Sequence, residues 1–109
     1  MKIYIIKVTS SCTLSLNDDV NLDSDLIINA TTDKEKAIKI ADEYVNCIRM
    51  SILDSYNGVL PDSCKFDDGD EDIGERYISY SRRIYDMELK RSMFDYREWM
   101  NIEIITHHD

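Results

Sequence analysis

Residues 31–56, TTDKEKAIKIADEYVNCIRMSILDSY, read as one long amphipathic helix, and the rest of the chain has to be arranged around it. Thr32 is the expected N-cap, and Glu35 three residues on closes a capping box. Asp33 and Glu35 also suit the positive end of the helix dipole. Ala37, Ile40, Ala41, Tyr44, Val45, Ile48, Ile52 and Tyr56 recur at three- and four-residue spacing and form one apolar face. Lys34, Lys36, Lys39, Asp42, Glu43, Asn46 and Arg49 fall mostly on the other side. Asn57-Gly58 is a stop signal, and Pro61 confirms the exit. Such a helix is roughly 36 Å long, so the remaining residues must cover its apolar side.

The chain has 109 residues, 43% of them hydrophobic, with three Gly and one Pro. Those numbers fit one domain over residues 1–109 with one core and no flexible linker. The apolar runs are too short to span a membrane, and residues 1–7 read as a strand rather than a signal peptide. A cytoplasmic protein is the expectation. Cys12, Cys47 and Cys64 are irregularly spaced, odd in number and without a C-x-x-C pair, so they are expected as reduced structural thiols.

Residues 2–9 are the first expected strand, with Ile3 and Ile5 alternating with Tyr4, Ile6 and Val8. Residues 10–25 are polar and rich in Asp and Asn, which suggests a loop with local Asx turns. Residues 26–28 form a short second strand, paired with the first as a hairpin and running into the helix cap. Residues 57–75 read as a mobile acidic loop. Residues 76–90 favour a strand by their Tyr and Ile content, with a helix over 82–93 as the alternative. Residues 90–97 make a turn or short helix, and 99–106 alternate as a half-buried strand. The fold class is therefore α+β: an antiparallel sheet of about four strands in the order β-β-α-β-β, with the long helix packed on one face.

Charge is the most specific feature. The net charge is −9, and two segments carry all of the excess. Residues 17–25 hold Asp18, Asp19, Asp23 and Asp25 with no base, a local charge of −4. Residues 62–75 hold seven acids against Lys65, a local charge of −6, leaving +1 for everything else. Acidic loops can serve solubility alone. Solubility does not require clustering, however, whereas steering toward a basic surface does. Basic grooves in cells mostly bind nucleic acid, so an Asp-rich segment can occupy one and repel DNA or RNA. Direct nucleic-acid binding by this chain is not expected, because its bases cluster no further than Arg82-Arg83 and Lys90-Arg91.

Metal and catalytic readings fare worse. Asp68-x-Asp70-x-Asp72 matches the start of a calcium loop, but Ile73 stands where Gly is required and Ser79 where Glu is required. Cys12, Cys47, Cys64, His107 and His108 lack zinc-site spacing. No cofactor is implied. No nucleophile elbow, zinc-protease helix, phosphate loop or kinase element occurs. Carboxylates in a solvated loop lack the burial or partners that tune a catalytic pKa.

The expected function is that of a non-catalytic acidic inhibitor engaging the basic, nucleic-acid-binding groove of a protein target. Anti-restriction and anti-CRISPR proteins of phages act in this way as a class, and the parallel rests on size and charge. Asp67, Asp68, Asp70, Glu71 and Asp72 are the first candidate contacts, and Asp18, Asp19, Asp23 and Asp25 the second. Tyr80, Arg82, Arg83 and Trp99 are candidate anchors, being of the residue types that dominate interface energetics. The alternatives are a nuclease-toxin immunity protein, or a structural module that forms a homodimer through its aromatic residues.

Overall fold

The computed structural model describes residues 1–16, 19–68, 71–73 and 78–108, with the backbone alone for 71–73 and 78. Its elements are β1 (Lys2–Ser15), β2 (Asp19–Thr31), α1 (Lys34–Ser55), β3 (Cys64–Asp67), β4 (Glu71–Ile73), β5 (Ile78–Lys90) and β6 (Asp95–His108). The strands make one antiparallel sheet in the order β2-β1-β6-β5-β3, and β4 pairs with β5 as well. The class is α+β with one helix against the sheet, as the pattern predicts. The strand count and the order beyond the helix differ.

Three expectations are corrected. Residues 10–15 and 19–25 are strand rather than loop: they complete a long hairpin whose register runs from Tyr4↔Thr31 to Ser15↔Asp19. The stretch 57–75 contains two short strands, β3 and β4, laid along β5. Residues 95–97, placed in a turn or short helix, belong to β6, whereas 78–90 are strand throughout, as their Tyr and Ile content favours.

Helix α1 begins one residue later than its capping box suggests. Asp33 is the N-cap, with extended backbone angles, and its carboxylate accepts from the amides of Glu35 and Lys36 at 3.1 and 3.3 Å. Aspartate is as good a cap as threonine, and this choice leaves Thr31 Oγ1 to accept from the Asp33 amide. At the other end Asn57 and Gly58 both take positive φ, 56° and 85°. The Gly58 amide donates back to the Leu53 carbonyl at 2.7 Å, which closes the helix as Asn-Gly predicts.

Ala37, Ala41 and Val45 are the fully buried helix residues, one turn apart in a line. Two alanines in that line let the helix backbone sit close to the strands. Ile6 and Val8 of β1, Ile102 and Ile104 of β6, and Tyr80 and Ile84 of β5 lie beneath it, with Cys64 and Tyr85 completing the core. Ile38, Ile40, Tyr44, Ile48 and Ile52 flank this line, while Tyr56 is largely exposed. The described residues extend 53 × 33 × 20 Å. The smallest of these dimensions accommodates one sheet layer and one helix layer.

The helix flank expected to face solvent is partly a seam. Asp42 accepts from the Tyr80 hydroxyl at 2.5 Å and pairs with Arg82 at 3.0 Å. Seven residues on, and so on the same flank, Arg49 donates to the carbonyls of Ile84, Arg83 and Asp67 and to the Asp68 carboxylate. Its guanidinium also lies 5.1 Å from the Phe66 ring centre. These contacts hold β5 and the start of the acidic segment against the helix.

Candidate functional site on the open face of the sheet

Directly opposed residues in an antiparallel sheet share a face, so the register fixes what the helix-free side presents. One row across the sheet reads Asp25, Thr9, Asn101, Arg83, Asp67. The next reads Asp23, Ser11, Trp99, Asp86, Lys65, and a third Asn21, Thr13, Arg97, Glu88. Asp19, Ser15, Asp95 and Lys90 make the fourth. The face is polar almost throughout. Its apolar members include Trp99, Ile27 opposite Lys7, and Ile5 with its partner Ile105.

Its charges are arranged by column. On the inner strands they are largely paired: Lys7 with Glu103 at 3.4 Å, and Arg97 with Asp86 through Nε and Nη2 at 3.2 and 2.9 Å. The outer strand β2 differs. Asp19, Asp23 and Asp25 point to this face, and opposite them on β1 stand hydroxyls rather than cations. Thr9 Oγ1 donates to Asp25 at 2.8 Å, Ser11 Oγ to Asp23 at 2.5 Å, and Thr13 Oγ1 to Asn21 at 2.8 Å. This ladder orients the carboxylates without neutralising them. Same-face neighbours two residues apart on a strand are about 6.8 Å apart, so Asp23 and Asp25 are adjacent charges while Asn21 separates them from Asp19 by about twice that distance.

The second acidic group lies along the opposite edge, about 19 Å away across four strand spacings. Asp67 sits on the open face beside Arg83, and Asp68 is held by Arg49 at 2.9 Å. Glu71 and Asp72 fall in β4, in register with Tyr80 and Ser79. Asp18 and Asp70 lie outside the described residues. The two groups therefore flank one sheet rather than meet.

The four anchor candidates separate into two pairs on opposite faces. Arg83 stacks on Trp99 with its guanidinium carbon 4.2 Å from the ring centre, on the open face beside the acidic columns. Tyr80 and Arg82 lie on the helix side, where Tyr80 is 2% exposed. The Arg82 guanidinium carbon is 4.9 Å from the Tyr80 ring centre. Tyr80 thus serves the core. Tyr85 and Tyr96, also on the helix side, both donate to Glu98, at 2.6 and 2.5 Å. Burial, then the bond to Glu98, raises the Tyr85 phenol well above its ordinary value, and for Tyr96 the bond to Glu98 is the leading cause. Both are neutral donors across the physiological range. Tyr80, Tyr85 and Tyr96 are thus engaged by internal contacts.

Sequence reasoning missed the Thr9–Ser11–Thr13 ladder and Asp86. Hydrogen bonding to Arg97 chiefly, helped by the charges of Arg97, Arg83 and Lys65, holds the Asp86 carboxyl below the usual carboxylate range despite partial burial. A carboxyl depressed on folding stabilises the protein above its unfolded pKa of about 3.9, and that contribution disappears as pH falls through the folded value. Asp86→Asn is therefore expected to cost roughly 1 kcal/mol or less above the unfolded carboxylate value, with the difference shrinking as pH falls below it. Urea unfolding at pH 7, 5, 4 and 3 checks this, and a difference undiminished at the lowest pH would contradict it.

Burial raises the Cys64 thiol, with Asp86 and Glu98 adding to the effect, which disfavours the thiolate. Among the described residues no three His, Cys, Asp or Glu side chains gather as a metal site. No helix there is long and apolar enough to cross a membrane. No protein-family model matches the chain, and neither a curated protein nor a solved structure is similar to it.

Proposed function

We propose that this chain is a non-catalytic binding protein whose acidic sheet face engages the basic, nucleic-acid-binding surface of a protein target and keeps nucleic acid out of it. The observation that carries this reading is the Asp19–Asp23–Asp25 column. Its carboxylates stand on an extended strand opposite hydroxyl residues of β1 rather than cations, and those of Asp23 and Asp25 accept hydrogen bonds from Ser11 and Thr9. One strand of duplex DNA carries a charge about every 3.4 Å of axis, so the roughly 6.8 Å between Asp23 and Asp25 spans two phosphates and the roughly 13.6 Å between Asp19 and Asp23 spans four. A second acidic group with Asp67 and Asp68 flanks the same sheet, and the surface between them has largely paired charges. The target face would thus meet the Asp column at one edge and Asp67, beside Arg83, at the other.

Converting Asp19, Asp23 and Asp25 together to Asn preserves acceptors for Thr9 and Ser11 while removing three charges. The expected result is a nearly unchanged melting temperature and roughly tenfold or more weaker capture of the target at low salt, with the gap closing at high salt. The readout is affinity capture from a host lysate at two salt concentrations, followed by competition between this chain and DNA or RNA for the purified target. A nucleic-acid enzyme bound equally by the triple variant would remove the column from the mechanism. A target that binds this chain and nucleic acid at the same time would remove exclusion from it.

A further inference from the structure

The two edges of the sheet are built differently. On one side β5 is covered by β3 and β4, of four and three residues, with a register irregularity between Lys65 and Asp67. Short, bulged strands are the usual protection against pairing with another chain. On the other side β2 runs for 13 residues, pairs with β1 alone among the described residues, and is exposed from Asp19 to Ile27. It contains no Pro, Gly, Lys or Arg. Its one irregularity lies near the helix end, opposite Ile6 and Lys7. One row of its backbone amides and carbonyls therefore faces outward along most of its length.

The side chains along this edge alternate in character. Val20, Leu22 and Leu26 project to the helix side, beyond the helix's cover, and are 50%, 67% and 59% exposed. Asp19, Asp23 and Asp25 project to the open face. A second copy is a poor occupant. Two β2 strands related by a two-fold axis pair antiparallel with their open faces on the same side, which sets one Asp column against the other.

We infer that the free edge of β2 accepts an extended strand from a basic partner, in which Lys or Arg alternates with aliphatic residues. Backbone pairing supplies affinity, and the two faces supply selectivity: the bases lie beside the Asp column, the aliphatics beside Val20, Leu22 and Leu26. The inference goes beyond the charge reading above. It requires no nucleic-acid-binding target, and that reading requires no strand addition.

The test uses three labelled ten-residue peptides against the whole chain: alternating Lys-Val, five Lys followed by five Val, and alternating Glu-Val. Fluorescence anisotropy gives affinity, and amide hydrogen exchange locates the site. The alternating Lys-Val peptide is expected to bind at least about tenfold more tightly than the block peptide of identical composition, and to slow exchange along β2. Leu22→Lys with Leu26→Lys, both at exposed positions, should abolish the preference without changing the thermal transition. Equal affinity for the two Lys-Val peptides, or protection on β3 and β4 instead, overturns the inference. So does a peptide-free dimer with β2 already protected, which would give the edge to a second copy. Because no natural target takes part, failure here leaves the charge-mimicry reading standing, and capture of a basic target without β2 protection separates the two.

Discussion

Replacing Arg49 by alanine is expected to lower the unfolding free energy by about 3 kcal/mol and to release residues 64–68 from the helix. The reason is the number of acceptors that depend on one side chain. Nε donates to the Ile84 carbonyl at 2.9 Å, and Nη2 to the carbonyls of Arg83 and Asp67 at 2.9 and 3.1 Å. Nη1 holds the Asp68 carboxylate at 2.9 Å. Ile84 stands in the register shift between Arg83 and Tyr85, where β5 departs from regular pairing with β6. Partly buried carbonyls at such a bulge need a donor from elsewhere, and each one left unsatisfied costs about 1–3 kcal/mol. Lysine has no planar fork, so Arg49→Lys should recover less than half of the loss. Urea unfolding gives the energies, and amide exchange at residues 64–68 reports the release. A lysine variant as stable as the parent, or unchanged exchange in the alanine variant, would refute this account.

Tyr80→Ala should be at least as damaging, by about 3–5 kcal/mol, because it empties one of the largest fully buried side-chain volumes in the core. Tyr80→Phe isolates the hydroxyl. It removes the 2.5 Å bond to Asp42 but leaves that carboxylate paired with Arg82 at 3.0 Å, so about 1 kcal/mol is expected. The contrast between the two variants in chemical denaturation separates ring packing from the polar seam. If Phe cost as much as Ala, the hydroxyl network rather than the ring would hold the helix to β5.

The long helix was legible because its signals are local: a capping sequence that placed the start within one residue, small and aliphatic residues at three- and four-residue spacing, and Asn-Gly at the exit. The first hairpin was half legible. In residues 19–26 Asp and Asn alternate with Val, Leu and Ser, a period of two, yet Asp, Asn and Ser are depleted in strands and common in turns. Propensity argued one way and periodicity the other. Periodicity prevailed, because the hydroxyls of Thr9, Ser11 and Thr13 answer the Asx side chains across the pair. Nothing local marks Asp42 and Arg49 as seam residues, since their partners lie 18 to 40 positions later. For the candidate site, the excess charge could be counted from composition. Its division between two edges of one sheet is a product of topology.

The middle of that sheet has a temporal consequence. β1 and β6 are neighbours for their whole length, from Lys2↔His108 to Ser15↔Asp95, separations of 106 and 80 residues. A chain emerging from the ribosome can form the first hairpin and the helix early, but they have little to close on until the 14 residues of β6 arrive between β1 and β5. Contacts of such high sequence separation slow folding, since a long loop must be closed before its pairing is rewarded. Throughout synthesis the apolar side of the helix therefore waits for its central cover, and any shortened product that lacks β6 presents that surface to chaperones and proteases.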